Sequence, residues 1–502
     1  MTALAEAIAR SFAAGEPDRP ALSPLRALGR RQLTGYEVLA QSVATTAPAA
    51  SMVLLPVTML THETLLAGLV TIIAATVFIT VIAWCVSQFT RRLAASGGLY
   101  TFVFQGLGTR AALTTGVAML VKYLGSGALT LYHGGQALIA LCAQLGVEVR
   151  GPGAALVYLG VAAAILAALV RGVRFAAVAI LAVEICSLMF IVGLMLVSGA
   201  SDQVALIPPD ADGHGLLPVI LTALFALAGF ESATFFGPEA RRPMVTVTRT
   251  VLATPVICGA LFVFAGWAAW SGRADNLANA YLHGSSTGVS PVVVVALNLG
   301  LSCSWLASAM ASSNAASRLL YSMGVERVLP RALAHVHRGW RTPHLALVAA
   351  VAAIATAAPV FTVVDGAAAE AKVGLRVALL IAYVLVALAT VRFLGRIGEL
   401  TAAARLAGRL GAASGLVTLA YIVGFNALDG GGGGLAAAAA AGTGALAWQW
   451  YLGRARPRSL AAVGVFDSPE SADVLPGAGV FAVNARGAVA LVGTDRPGRV
   501  GH

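Results

Sequence analysis

The chain has 502 residues, of which 58% are hydrophobic and only 11% charged, and its formal net charge is +11. A soluble globular domain carries roughly 25% charged residues because its surface must be solvated, so this composition excludes an ordinary soluble protein. The arginines recur in short groups between long apolar runs and do not gather on one surface. They indicate loops that touch an anionic lipid bilayer, and no nucleic-acid partner is predicted.

Twelve apolar stretches are long enough to cross a membrane as helices, since a hydrocarbon core of about 30 Å requires about 20 apolar residues. The third and eighth are longer than one straight span requires, so we expect tilt or interfacial extensions. The number of spans is open by one, and the turn at the Gly430–Gly434 run before the last span is the hardest to place. The predicted spans are 33–58, 64–90, 111–146, 153–171, 174–199, 215–238, 246–271, 290–323, 344–361, 374–395, 407–428 and 432–453.

Two polar tails flank these spans. Residues 1–32 contain Pro and Arg but no apolar signal-peptide core, and they are predicted to be a cytoplasmic tail. Residues 454–502 form the second tail, in which a short β-hairpin is predicted around Gly479–Val492. The five cysteines are scattered without CxxC or Cys/His spacing, so neither a metal site nor a bound cofactor is predicted.

The arginines between spans give the chain an orientation. Loops after even-numbered spans carry most of them, as at Arg91–Arg92 and Arg241–Arg242, whereas loops after odd-numbered spans carry few and hold most of the loop acids. Because Lys and Arg are retained on the cytoplasmic side, we expect both termini in the cytoplasm and the chain in the cytoplasmic (inner) membrane. The oligomeric state is left open.

Three charged residues are predicted to lie deep in the spans: Lys122, Glu184 and Glu231. Glu184 is ten residues past Arg174, about 15 Å along a helix, which is near the midplane. A charge facing lipid there costs roughly 2.5–3.5 kcal/mol, so all three should face the bundle interior. Two interpretations remain open for them, a buried ion pair such as Lys122 with a glutamate, or a relay for protons or ions.

Two spans contain helix-breaking residues at corresponding places. The sixth holds Gly229 followed by Phe230 and Glu231, and the first holds Pro48 among several hydroxyls. Gly weakens a helix by about 1 kcal/mol and Pro removes one amide donor, so either residue can interrupt a span. The alternatives are a glycine that serves only helix packing and an ordinary proline kink. Breaks five spans apart are, however, what an inverted repeat with two discontinuous helices predicts, with substrate bound where the half-helices converge.

The resulting fold class is an all-α polytopic membrane protein with an inverted repeat. The two repeats are predicted to occupy residues 33–200 and 215–395, and further spans follow at residues 407–453. In the eighth span, polar residues at helical spacing either coordinate a cation or pack helices closely; they are Ser308, Ser312, Ser313 and Asn314.

A membrane sensor or enzyme is the alternative from another class. An enzyme would need a catalytic constellation, but His335, His337 and His344 lie in an Arg-rich loop without Cys or acidic partners. No Walker motif is present in the sequence, so direct use of ATP by this chain is unsupported. The chain is therefore not predicted to be an enzyme.

Four ordered motifs resemble those of the amino acid–polyamine–organocation permeases, and together they cover about residues 33–400. The GFES segment and the GPEARRP segment that follows it are similar to that family's sixth-span signature. The other similarities are a SGGxY motif, a fifth span and the end of an eighth span. The motifs are found at Gly229–Ser232 with Gly237–Pro243, Ser96–Tyr100, Arg171–Glu184, and Asn314–Met323 with Arg341–Pro343.

The resemblance implies a LeuT-type fold, which has a five-plus-five inverted repeat and two further helices. It also implies secondary transport of amino acids, coupled to protons or by exchange, with amines, polyamines or another small metabolite as the alternative substrate. It implies that amides near the first break bind the substrate carboxylate and that carbonyls of the sixth span receive its ammonium group. The substrate-binding residues are then Thr45, Thr46, Ala47, Ala49, Ala50, Phe225, Ala226, Ala228, Gly229 and Phe230.

The same resemblance assigns further roles. Phe225 matches an aromatic gate, and Glu184 falls where some members place a lysine in a sodium site whose hydroxyl ligands match Ser312 and Ser313. An acidic residue there would accept a proton, so H⁺ is the expected coupling ion. Glu231 and Lys122 complete the predicted coupling residues. The first span lacks the Gly-rich GxGxGIF stretch of many members and has an Ala/Thr/Pro version instead.

Overall fold

The computed structural model describes residues 28, 32–149, 151–197, 215–284, 289–337, 339–428, 432–464, 480–483 and 489–492. In a bilayer every backbone polar group must be satisfied within the protein, so long apolar segments form helices. The first seven helices are α1 (Gly35–Thr45), α2 (Pro48–Thr61), α3 (Leu65–Thr90), α4 (Leu99–Leu107), α5 (Thr109–Gln144), α6 (Pro152–Val170) and α7 (Val173–Val197).

The second half of the chain continues the helical pattern. It contains α8 (Leu217–Leu227), a 3-10 helix (Phe230–Phe236), α9 (Pro243–Trp270), α10 (Asp275–His283), α11 (Pro291–Val325), a second 3-10 helix (Arg331–Ala334), α12 (His344–Val363) and α13 (Ala367–Arg396). After it come α14 (Ala402–Leu428), α15 (Gly432–Ala455) and the short α16 (Pro457–Ala462).

The only strands among the described residues are β1 (Val480–Val483) and β2 (Val489–Val492), which pair antiparallel with Val480 opposite Val492. They confirm the hairpin predicted in the C-terminal tail.

Eleven helical segments within the described ranges are long and apolar enough to cross a membrane. They confirm an all-α polytopic membrane protein and match the first eleven predicted spans. The twelfth predicted span coincides with α15, which has 24 residues but is not among the eleven. Its many Gly and Ala residues and its Trp, Gln and Tyr residues make it less apolar than the other spans. The twelfth crossing therefore stays a prediction.

Three features of the helices differ from the sequence prediction. α13 begins at Ala367, seven residues before the predicted start at 374. Glu370 and Lys372 lower the hydropathy of this first part, but they do not interrupt the backbone hydrogen bonds of the helix. α4 and α10, each nine residues long, were not predicted. Both are too short to register in a window of membrane-span length.

The two interrupted spans lie at the centre of the bundle. The first span consists of α1 and α2, and the sixth consists of α8 and the 3-10 helix Phe230–Phe236. In the most apolar stretch of each, 78% of the residues are buried, whereas the value for α6 is 22%. The long helices α5 and α11 pack against each other beside them. An interruption exposes backbone polar groups, so only a span shielded from lipid by its neighbours tolerates one.

A capping arrangement fixes the start of the first span. Glu37 accepts hydrogen bonds from the amide of Thr34 at 2.6 Å and from its hydroxyl at 2.9 Å, the side-chain reach of a capping box. The other oxygen of Glu37 pairs with Arg174 Nε at 3.1 Å, which joins α1 to the start of α7. Leu33 then forms a parallel bridge with Ala240, beyond the sixth span.

Candidate functional site

The first span is interrupted at Thr46 and Ala47. α1 ends at Thr45, and Ala47 has left-handed backbone angles, φ 44° and ψ 59°, before α2 begins at Pro48. Proline disfavours the helical conformation of the residue before it, which is why the turn falls here. The Thr46 hydroxyl donates to the carbonyl of Val43 at 2.7 Å, and Ser51 donates to the carbonyl of Thr46 at 3.1 Å. These hydroxyls satisfy carbonyls near the break.

The sixth span is interrupted at Ala228 and Gly229. α8 ends at Leu227, Ala228 is extended, and the chain resumes as a tight 3-10 helix at Phe230. The amide of Gly229 donates to Glu231 Oε2 at 3.0 Å. The glutamate two residues ahead therefore satisfies a donor that the break leaves without a helical acceptor.

The two interruptions are in direct contact. A β-carbon built on Gly229 would lie 2.8 Å from Thr46 Cγ2, closer than real β-carbons come, and 3.0 Å from the Thr46 amide nitrogen, which is tighter than most real contacts. Ser42 donates to the carbonyl of Phe230 at 3.1 Å, and the hydroxyls of Thr45 and Ser232 are 3.1 Å apart. A glycine is thus required at 229 by the close approach of the first span.

The ten predicted substrate-binding residues all lie at or beside these breaks. Nine are buried, and Phe225 is partly exposed. The carbonyl of Phe225 accepts a hydrogen bond from the amide of Ala228 at 3.2 Å. The Phe225 ring borders a small cavity of about 10 Å³ together with Arg376 and Tyr383. This volume is near the minimum for one water molecule, so the space beside the predicted gate is too small for an amino acid.

Glu231 is held by buried side chains from two helices, α5 and α13. Its Oε1 pairs with Lys122 Nζ at 3.0 Å and accepts from the Tyr123 hydroxyl at 3.2 Å, while Oε2 accepts from the Tyr383 hydroxyl at 3.0 Å. Exposure is 0% for the glutamate and 1% for the lysine side chain. Lys122 also lies 4.0 Å from the centre of the Tyr123 ring. The Lys122–glutamate ion pair left open by the sequence is thus present, and its acid is Glu231.

Glu184 reaches the first break from the other side. Its Oε1 accepts from the Ser304 hydroxyl at 3.0 Å and lies 3.5 Å from the amide nitrogen of Ala49. The amide of Ala50 donates to the Ser304 oxygen at 3.3 Å. Only 3% of Glu184 is exposed, and its Oε2 has no hydrogen-bond partner among the described residues. The carboxylate is therefore at the amide end of α2.

The polar residues of the eighth span divide into two groups. Ser304 binds Glu184 and Ser308 donates to the carbonyl of Thr45 at 3.1 Å, so both face the first break. Ser313 donates to the carbonyl of Ala309 in its own helix, at 2.7 Å. The structure places the Ser312 β-carbon 3.5 Å from a β-carbon built on Gly127 of α5.

Several residues of the site lie outside the sequence prediction: Ser304, Tyr123 and Tyr383. Ser304 precedes Ser308 by one helical turn, a spacing that puts both on one face of α11. Its position was therefore readable from the sequence. The two tyrosines come from helices distant in sequence. Tyr123 directly follows Lys122, but no local signal pairs either tyrosine with Glu231.

A second buried ion pair connects the end of the sixth span to α11. Arg318 donates to both oxygens of Glu239, through Nε at 2.9 Å and a terminal nitrogen at 3.1 Å, and both side chains are fully buried. Arg318 also contacts Asn314, which donates to the Gln41 side chain of α1 at 3.0 Å. This network joins the Gly237–Pro243 motif, which follows the sixth span and contains Glu239, to α1.

Among the residues that the structure describes, no three His, Cys, Asp or Glu side chains come together as a metal-binding group.

A family model for amino acid permeases matches residues 37–426, well over half of the chain. Uncharacterized transporters of Mycobacterium bovis and Mycobacterium tuberculosis are 28% identical over 299 residues, which cover 56% of this chain and 64% of each relative. The match thus spans less than two thirds of those relatives. On the extent of the family match, the chain belongs to the amino acid permease family.

Proposed function

We propose that this chain is a secondary active transporter that carries amino acids across the cytoplasmic membrane by alternating access. The observation that carries the proposal is the contact between Gly229 and Thr46, which brings two interrupted helices together at the centre of the bundle. Interrupted helices that converge near mid-membrane offer half-helix ends to a small ligand. The membership of the amino acid permease family makes an amino acid the first candidate.

The chemistry of the first break suits the carboxylate of an amino acid. The amides of Ala49 and Ala50 belong to the first turn of α2, where helical acceptors are missing. Together with the helix dipole they favour an anion. The carbonyls of the sixth-span residues Phe225, Ala226 and Ala228 are the acceptors proposed for the ammonium group, with Phe225 as the gate.

We further propose an inverted-repeat architecture with residues 33–200 and 215–395 as the two halves, and with both termini in the cytoplasm. The equivalent positions of the two interruptions support the repeat. Coupling to protons is proposed because Glu184 is a buried carboxylate that forms no ion pair with a Lys or Arg among the described residues. The ion pair of Lys122 with Glu231 gives that second carboxylate a structural partner.

An organic amine is the second candidate substrate. The specific observation in its favour is that Glu184 already supplies a carboxylate beside the Ala49 amide. A ligand without a carboxylate of its own would not compete for that place.

Thermal unfolding of the purified full chain tests the proposal with the twenty standard amino acids and their decarboxylated analogues. A ligand that binds only the native state raises the midpoint, and a hit must then show uptake and competition in proteoliposomes. We expect one or more amino acids to stabilise the protein and to be accumulated. Stabilisation by amines alone would replace the first proposal by the second, and no response to either class would refute both.

A further inference from the structure

We propose that Glu184 is a tethered competitor of the substrate carboxylate. Its side chain occupies the amide end of α2, so an amino acid can bind there only after Glu184 has been neutralised by a proton. This inference rests on the proposed function, because it concerns the same site. It adds the physical reason for which proton uptake and substrate binding would be linked.

The geometry of the carboxylate supports this role. Glu184 Oε1 is 3.5 Å from the amide nitrogen of Ala49, and the hydroxyl of Ser304 connects it to the amide of Ala50 through contacts of 3.0 and 3.3 Å. These two amides are the donors proposed for the substrate carboxylate. The glutamate belongs to α7 and reaches them from outside the first span, as a ligand would.

Two carboxylates cannot share these donors while both are ionised. Two like charges 4 Å apart repel by on the order of 4 kcal/mol at an effective dielectric constant of about 20. Carboxyl groups that share one site therefore hold a proton between them. Protonation of Glu184 removes the repulsion and weakens the attraction between its carboxyl group and the amides of Ala49 and Ala50.

The charge of Glu184 has no compensating partner in the part of the chain that the structure describes. There, two thiols interact with it electrostatically, Cys258 of α9 and Cys303 of α11. The Glu37–Arg174 pair of α1 and α7 is ten residues earlier, about 15 Å along the helix. Within the described ranges no Lys or Arg forms an ion pair with Glu184, and its Oε2 is buried without a hydrogen-bond partner. That oxygen is the atom that we expect to take the proton.

The balance of charge follows directly. One proton from the side where substrate enters converts the Glu184 carboxylate into a carboxylic acid, and one zwitterionic amino acid then places its carboxylate at Ala49 and Ala50. On the other side the amino acid leaves, the proton follows, and the Glu184 carboxylate returns to the amides. One proton thus accompanies each amino acid, and each cycle moves one positive charge.

Calorimetric titration of the full chain at pH 5.5 and pH 8.0 tests this, with each of the twenty standard amino acids as probe. For wild type, we expect affinity to fall with rising pH, approaching the tenfold per pH unit of a single linked proton. Titration in two buffers of different ionisation enthalpy should show uptake of one proton per amino acid. Glu184→Gln, which keeps the size of the side chain, should bind equally well at both pH values and take up none.

Matched controls separate the possible failures. Glu399→Gln removes a carboxylate that pairs with Arg92 at the surface, and it should keep the wild-type pH dependence. The decarboxylated analogue of each bound amino acid should bind wild type without this pH dependence. Binding of amino acids by wild type that is independent of pH, or a pH dependence retained by Glu184→Gln, would overturn the inference alone. Failure of both proteins to bind any amino acid would instead refute the proposed function.

Discussion

Gly229 of the sixth span lies against Thr46 of the first, so closely that a β-carbon at position 229 would be 2.8 Å from the Thr46 methyl carbon and 3.0 Å from its amide nitrogen. Backbone cannot move aside as a flexible side chain can. The two interruptions are therefore positioned by each other. Any residue larger than glycine at 229 must separate them.

Gly229→Ala is expected to weaken substrate binding at least tenfold, because the added methyl group forces the two breaks apart. Gly193→Ala is the matched control, since a β-carbon on Gly193 in α7 would meet nothing within 4 Å. Thermal-shift titration with the best-binding amino acid measures both variants. Unchanged affinity in Gly229→Ala would contradict a binding site at the breaks.

The Lys122–Glu231 pair is expected to behave as a coupled structural unit. Glu231→Gln leaves a buried lysine without its counter-charge, which should destabilise the protein by about 3–5 kcal/mol. Lys122→Met should be similarly harmful, whereas the double variant should recover part of the loss because it leaves no unpaired charge. A double-mutant cycle of thermal unfolding measures the coupling, and additive losses would show that the 3.0 Å contact contributes nothing.

Ser304 and Ser312 are expected to differ in their effect on Glu184. Ser304→Ala removes the hydroxyl that joins Glu184 to the Ala50 amide, so the pH dependence of substrate binding should shift in this variant. Ser312→Ala changes a side chain that lies against α5, and it should leave the pH dependence as in wild type. Calorimetric titrations from pH 5 to 9 distinguish them, and the reverse result would place the coupling site about two turns further along α11.

Asp275 gives the fold a pH-dependent contribution outside the spans. Burial raises the pKa of this carboxyl from its ordinary 3.8 to about 6. The folded state therefore holds the proton more tightly than the unfolded state, and the resulting stabilisation is complete below about pH 4 and lost as the pH rises through about 6. Asp275→Asn is expected to raise stability at pH 7.5 by on the order of 1 kcal/mol and to change it little at pH 4.

Thermal unfolding at the two pH values measures this effect. Asp365→Asn, at an exposed position before α13, is the matched control and should alter neither midpoint. A stabilisation by Asp275→Asn that is equal at both pH values would mean that the charge of Asp275 is not its cause.

Much of the fold was readable from the sequence because its cause is local. The bilayer requires about 20 apolar residues per helix, so hydropathy located eleven spans, and their ends agree within a few residues except at the start of α13. Both interruptions were also predicted, because Pro48 and Gly229 act on their own backbone. The start of α13 and the short helices α4 and α10 were missed, since charged or short helices leave no hydropathy signal.

The sequence did not show which buried side chains contact each other. Lys122, Glu184 and Glu231 were all expected to avoid lipid, but nothing in their spacing showed that Lys122 would pair with Glu231 at 3.0 Å while Glu184 turned to Ser304 and the Ala49 amide. The partners come from helices more than 100 residues apart. The sequence by itself determined a membrane bundle with two broken helices, whereas only the packing of those helices decided which carboxylate is paired and which lies at the amide end of α2.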